Sequence, residues 1–175
     1  MSQEKKLPWK VIRGMQWYLG LPDKFLKDPV SNLDSSFKVV EMEDGLQGLN
    51  VEIDEKKLSL LQKDVIKRGG EYLEAAPLVI PLYPSKGLRL KRKISYWLDE
   101  FQRLPYVSPY EDFQHLNRSS DNYEKRVVGV FHETLGLFVD HSAERKKLFC
   151  LRLYLGLPQK FYKVLNATHI YFTFH

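Results

Sequence analysis

A chain of 175 residues with 43% hydrophobic and 13% aromatic side chains has globular rather than disordered composition, and is long enough for one domain or two small ones. Its net charge of +5 is a modest pointer to polyanions, while the single cysteine, Cys150, excludes an intrachain disulfide and a cysteine-based zinc site. No apolar run approaches the ~20 residues of a membrane span, and the N-terminus MSQEKKLPWK has neither a secretory h-region nor the acid-poor composition of a presequence, so a mature or truncated chain is expected.

The first element is a helix with Ile12, Met15 and Leu19 on one apolar face, running into YLGLPDKF at residues 18–25. Gly20 stands where a helix end needs a left-handed residue, Leu21 where a Schellman end needs its apolar contact, and Pro22 where a new helix can begin. The same grammar returns at YLGLPQKF, residues 154–161, with Gly156, Leu157 and Pro158. Leu148, Leu151 and Leu155 repeat the upstream face, and eight of ten positions agree between 18–27 and 154–163. Short alternating segments follow each copy, Phe37-Lys38-Val39 and Phe172-Thr173-Phe174. The spacing predicts a duplicated helix–turn–helix–strand unit, one copy over about 7–54 and the other over about 123–175.

Between the copies, FKVVEM and LNVEI flank DGLQG and predict a β-hairpin. Leu58, Leu61 and Val65 predict a helix over 55–68. PLVIPLYP, residues 77–84, has three prolines and reads as an edge strand. KGLRLKRKISYWLDEF runs into a helix carrying Ile94, Trp97, Leu98 and Phe101, with Trp97 expected in the core. SPYE at 108–111 has the pattern of a capping box, and DNYE at 121–124 opens a long helix, apolar on so many sides that it belongs at the centre of the core. The fold class expected is α+β, mainly α: duplicated helix–turn–helix–strand units with a short hairpin, in a single domain over 1–175 truncated at both ends.

Catalytic chemistry is hard to find. Cys150, in LFCLRL, is expected on a core-facing helix, where a thiol is inert. HETLG at 132–136 begins like the zinc motif HExxH, but Gly136 replaces the second histidine. His115, His141, His169 and His175 show no ligand spacing, and there is no glycine-rich phosphate loop or nucleophile elbow. What remains is clustered charge. Residues 41–55 hold six acids and no Lys or Arg; residues 86–103 hold six basic residues against two acids; residues 141–163 hold six against one. Arg89, Lys91, Arg92 and Lys93 lie beside Tyr96 and Trp97, Lys125 and Arg126 open the long helix, and Arg145, Lys146, Lys147 and Arg152 precede the second YLGLP. Such cations neutralise phosphates and nearby aromatics can stack unpaired bases; the competing reading is that they solvate helix faces.

The run WLDEFQRLPYVSPYEDFQHLNRSSDNYEKRVVGVFHETLGL, residues 97–137, resembles the plant organelle RNA recognition (PORR) domain family. LGLPDKF, FKVVEMEDGLQGL and the second LGLPxKF fit the same pattern, so the resemblance covers about residues 7–175. It implies a non-catalytic protein of plant chloroplasts or mitochondria that binds intron RNA and assists splicing of group II introns with other splicing factors. It implies no cofactor, no membrane and no small-molecule substrate. It does not say which side chains touch RNA, so the candidate set comes from charge: Arg89, Lys91, Arg92 and Lys93 first, then Lys125, Arg126, Arg145, Lys146, Lys147 and Arg152. Two alternatives stand beside this reading. One is a protein-interaction scaffold in an organellar RNA-processing complex. The other is a cysteine hydrolase, after the ubiquitin C-terminal hydrolase label also attached to the family, which a lone helical cysteine does not support.

Overall fold

The computed structural model describes residues 6–33, 37–43, 45–51, 57–71, 76–81, 91–141 and 144–159. Among them it has six helices and one three-stranded antiparallel sheet, an α+β arrangement. The chain divides into two compact units: one gathers Met1–Asp54 with Leu137–Leu157, the other is built on Glu55–Gly136.

In the first unit, β1 (Lys6–Pro8) leads straight into α1 (Trp9–Gly14). After a turn come α2 (Asp23–Lys27) and the expected hairpin, β2 (Phe37–Glu41) and β3 (Gln47–Val51). The sheet order is β1-β3-β2, so β3 is central. Leu7, Leu49 and Val39 share one register row, and Lys6, Asn50 and Lys38 share the next. Successive strand residues point to opposite faces, so these rows give an apolar and a polar side, and Leu49 is buried. Strand β1 escaped sequence reading because three residues ending in proline carry too little periodicity; its pairing with β3 makes it a strand.

Helix α6 (Arg145–Leu151) completes this unit. Its Leu148 and Leu151 are buried, as are Ile12 and Met15 of the first copy. Both helix stops have the expected Schellman bonding. The Leu21 N–H donates to Gln16 O at 3.0 Å and the Gly20 N–H to Trp17 O at 3.3 Å; Leu157 donates to Arg152 O at 3.0 Å and Gly156 to Leu153 O at 3.2 Å. Gly20 and Gly156 have φ of +63° and +65°, where a side chain is strained. The likeness extends through the stops. The second helix and the Phe172–Phe174 strand expected for copy two lie outside the described residues, so the likeness of the two copies is established only through the stops.

In the second unit, α3 (Leu60–Lys67) starts later than the periodicity suggests. Ser59 caps it: Ser59 Oγ accepts the Gln62 N–H and Gln62 Oε1 accepts the Ser59 N–H, a reciprocal capping box. Helix α4 spans Arg92–Arg103, and α5 spans Asp121–Gly136. Helix α5 is central to this unit as expected, with Tyr123, Val127, Val128, Val130, Phe131 and Leu135 all buried. Its cap is Ser120, whose Oγ accepts the Tyr123 N–H at 3.3 Å, rather than Asp121. At Gly129 an added Cβ would lie 2.9 Å from the buried Tyr106 ring, so that ring can close on the helix only over a glycine.

Two expectations fail locally for tertiary reasons. SPYE caps no helix: Ser108 Oγ accepts the Tyr110 N–H in a tight turn, and Glu111 accepts from Gln62 Nε2 at 3.4 Å, across the unit. The described part of PLVIPLYP, through Pro81, is not a strand but makes one bridge, Pro77 to Pro105. Beside it the Gln102 side-chain amide takes the place of a neighbouring strand, accepting the Ile80 N–H and donating to the Ile80 carbonyl, both at 2.9 Å.

Candidate nucleic-acid interface

Several of the residues that carry the family resemblance are internal. Tyr106 and Ser108 are fully buried, and Tyr106 OH lies 3.2 Å from Ser59 Oγ. Glu133 accepts the Leu60 N–H and the Tyr110 hydroxyl, each at 2.7 Å. It thereby caps α3 from α5 and holds the loop after α4; burial, then the bond to Glu133, pushes the Tyr110 hydroxyl pKa well up. This network fixes three helices to one loop. Its chemistry is structural support rather than contact with a ligand.

Lys125 and Arg126 belong to that interior and correct the charge-based assignment. Lys125 is 0% exposed and donates through Nζ to the Gln102 and Leu104 carbonyls, both at 2.7 Å. Those are carbonyls at the C-terminal end of α4, where a cation complements the helix dipole. Burial lowers its pKa to about 8. Arg126 is 3% exposed, lies 3.8 Å from the Phe113 ring centroid and donates to the Pro109 carbonyl at 3.3 Å. Its pKa falls to about 10, also through burial. Neither cation stands where a phosphate could reach it. The sequence signal for this was present: on a helix apolar all round, charges at the start have no solvated face to occupy.

The cluster before and within α4 behaves oppositely. Lys91, Arg92 and Lys93 are all exposed. They occupy the helix start and its first turn, which contains no acid. There the helix end already carries partial positive charge, so three cations repel the dipole and together attract an anion. Leu98 and Phe101 turn inward, which leaves Arg92, Tyr96 and Arg103 on the outer stripe at i, i+4 and i+11. Tyr96 is 66% exposed; Trp97, expected in the core, is 41% exposed and rests its ring 5.1 Å from that of Phe101. Asp99 and Glu100 are exposed on the same helix, so the basic character belongs to its first half. Arg89 lies outside the described residues.

The third cluster sits in the other unit. Lys146 is exposed, and Lys147 is half-buried, donating to the Gly14 carbonyl at 3.1 Å with its Nζ 6.0 Å from the Tyr18 ring centroid. Arg152 is half-buried in the turn before the second helix stop. Arg145 begins α6, and its side chain lies outside the described residues. Cys150 is exposed, against expectation: Leu148 and Leu151 take the inward positions and Cys150 falls between them on the other side. Sequence reasoning also passed over Trp17, which is exposed in the turn just after α1, while Lys10 and Arg13 are exposed on the helix itself. Among the described residues no group of three His, Cys, Asp or Glu side chains could hold a metal ion, and no helix is long and apolar enough to cross a membrane.

Comparison with known proteins agrees with the resemblance. The family described as the plant organelle RNA recognition domain matches residues 1–173. The Arabidopsis thaliana protein WHAT'S THIS FACTOR 9, mitochondrial, is 55% identical over 168 residues, which is 95% of this chain and 43% of that protein. WHAT'S THIS FACTOR 1, chloroplastic, of Zea mays is 33% identical over 149 residues, 80% of this chain and 30% of that protein. A chloroplastic homologue of the latter in Oryza sativa is 31% identical over 164 residues, 85% of this chain and 32% of that protein. The chain thus spans less than half the length of these relatives. No solved structure matches it.

Proposed function

The chain belongs to the plant organelle RNA recognition family, and from that premise we propose that it is a non-catalytic RNA-binding domain that assists splicing of group II introns in a plant organelle. The observation that carries the proposal is the α4 start, where Lys91, Arg92 and Lys93 stand exposed at a positive helix end with Tyr96 on the stripe beyond. The cations would hold phosphates and Tyr96 would stack an unpaired base. In the first unit, Lys146 and Arg152 would be phosphate contacts of their own. Catalysis would rest with the intron RNA, the protein favouring one RNA fold by binding it. The mitochondrial and chloroplastic names of the relatives support an organellar site of action. Other splicing factors are the protein partners we expect.

The test is crosslinking and sequencing of RNA bound to this protein in purified organelles, paired with filter binding of a recovered fragment at several salt concentrations. Enrichment of group II intron segments and a steep inverse salt dependence are expected. Crosslinks confined to ribosomal or intergenic RNA would remove the splicing assignment. A second reading, a scaffold docking a protein of the RNA-processing machinery, has its own observation: Phe149, Leu153 and Tyr154 are exposed apolar residues at α6 and its turn. Weak, salt-insensitive RNA binding would favour that scaffold.

A further inference from the structure

Trp17 lies in the helix stop after α1 and is 82% exposed, although tryptophan is highly buried on average. Ile12, Met15 and Gln16 of the same stretch are buried, so the opposite side faces water. Lys10 and Arg13 of α1 are also exposed, seven and four residues before Trp17, which stands in the turn just past the helix end at Gly14. From Lys5 to Pro22 the chain contains no acid. Lys147 adds a further cation beside Arg13 by donating to the Gly14 carbonyl. Among the described residues, acids also reach the stretch. Asp23 accepts from the buried Gln16 through Nε2 at 2.7 Å, and Glu144 is hydrogen-bonded to Tyr18, whose pKa is raised by burial and by that neighbour. Both are held by neutral donors, which fixes their positions and leaves their charge in place.

The second helix stop supplies an internal control. At the positions matching Lys10, Arg13 and Trp17 it has Lys146, Phe149 and Leu153. The hydrogen bonds of the two stops correspond, but the second copy has Leu153 in place of the indole and Phe149 in place of Arg13, so only the first copy has an exposed tryptophan with two cations at these positions. A protein partner would be expected to use contiguous apolar surface, whereas Trp17 has charged neighbours. A duplex hides its base faces, whereas a single strand offers them.

We propose that Lys10, Arg13 and Trp17, with Lys147 beside them, form a contact for single-stranded RNA in which one base stacks on the Trp17 indole and the cations hold the flanking phosphates. The proposal deepens the RNA-binding reading and rests on it. An indole stacks any base, so this contact adds affinity without reading sequence; Arg13 can also fork onto a phosphate.

The test uses the 175-residue chain and a fluorescein-labelled RNA of about 20 nucleotides and mixed sequence, alone and annealed to its complement, followed by anisotropy at several salt concentrations. Trp17→Ala should weaken single-strand binding about 5- to 150-fold and leave the salt slope unchanged, because it removes a stack and keeps every phosphate neutralised. Trp17→Phe should weaken it less. Arg13→Glu should weaken binding and lower the log–log slope by about 0.7. Duplex binding should respond little to Trp17→Ala. Thermal melts of both Trp17 variants should match wild type, since that side chain is exposed, and Arg13→Glu should lower the melt only slightly, by setting an acid in the last turn of α1. If Trp17→Ala binds as tightly as wild type while wild type binds in a salt-dependent way, this contact is overturned and RNA binding stands. A drop in affinity accompanied by a lower slope would also overturn the stacking assignment. If wild type shows no salt-dependent binding, the contact and the RNA-binding reading fall together.

Discussion

Two basic clusters of the second unit look alike in sequence and end up in opposite places. Lys91, Arg92 and Lys93 open α4; Lys125 and Arg126 lie in the first turns of α5. The first group is exposed at a helix end whose dipole it opposes, while the second is buried. Lys125 donates to two backbone carbonyls, and Arg126 donates through one Nη to Pro109 and lies over the Phe113 ring, its Nε and other Nη having no hydrogen-bond partner among the described residues. The difference is the company each keeps. Helix α4 has one apolar side, so its cations have water to face. Helix α5 is apolar on nearly every side, and its cations find their partners inside, Lys125 fully and Arg126 in part. Local charge density alone therefore cannot separate a ligand surface from a structural brace.

The comparison is broken most directly at Lys125. Lys125→Met removes one ammonium from two carbonyls and leaves both buried without a donor, so stability should fall by about 2–4 kcal/mol. Urea melts would show a lower midpoint at unchanged m-value, while any surviving folded protein keeps its RNA salt slope. A midpoint equal to wild type would mean that the carbonyls find other partners. Next comes the outer cluster. Reversing Lys91, Arg92 and Lys93 to Glu together should leave the melt unchanged or raise it slightly, since acids suit a helix start. It should weaken RNA binding by at least about tenfold and lower the slope by about 2, some 0.7 for each phosphate no longer neutralised. Equal affinity and slope in both proteins would remove the α4 start from the interface.

A smaller effect follows from the depressed pKa of Lys125. The penalty for burying its charged form is complete below about pH 8 and is lifted as pH rises toward its ordinary 10.5. This group should therefore make the chain more stable between about pH 8 and 10, on the order of 1–2 kcal/mol. Above about pH 10 the raised pKa of Tyr110 acts in the opposite direction: the unfolded phenol ionises while the folded one stays protonated, so this group's contribution to stability is lost as pH rises further. Melts of wild type and Lys125→Met across this range should diverge; parallel curves would show that Lys125 stays charged throughout. The smallest effect is expected at Cys150, the mirror case, a group expected inside and found outside. It should react quickly with a thiol reagent in the native state, and Cys150→Ser should leave RNA binding unchanged. Slow labelling would contradict its exposure.

Legibility followed range. The hairpin, the two helix stops and α5 could be read because each depends on residues within one or two turns: a glycine at the left-handed position, an alternating run, an apolar helix. The failures mostly involve a distant partner. SPYE has the letters of a capping box, but Glu111 is engaged by Gln62 from α3. Strand β1 exists through β3. Lys125 answers to carbonyls of α4, and Trp97 gains its partial cover from Phe101 on its own helix while its other face stays open. For the candidate interface, Lys91–Lys93 could be read as exposed, whereas Trp17 could not: its spacing from Lys10 and Arg13 is visible, but its outward direction depends on which side of α1 the rest of the sheet-bearing unit covers.

The Gln102 amide beside Ile80 has a consequence for solubility. The segment Pro77–Pro81 is extended and apolar, with Val79 71% exposed, the composition that invites strand-to-strand association between molecules. Both ends of this segment are prolines and lack an N–H, and Gln102 occupies both polar groups of Ile80. One side-chain amide thus closes a hydrogen-bonding edge that another polypeptide could otherwise template upon. It does so without enlarging the sheet.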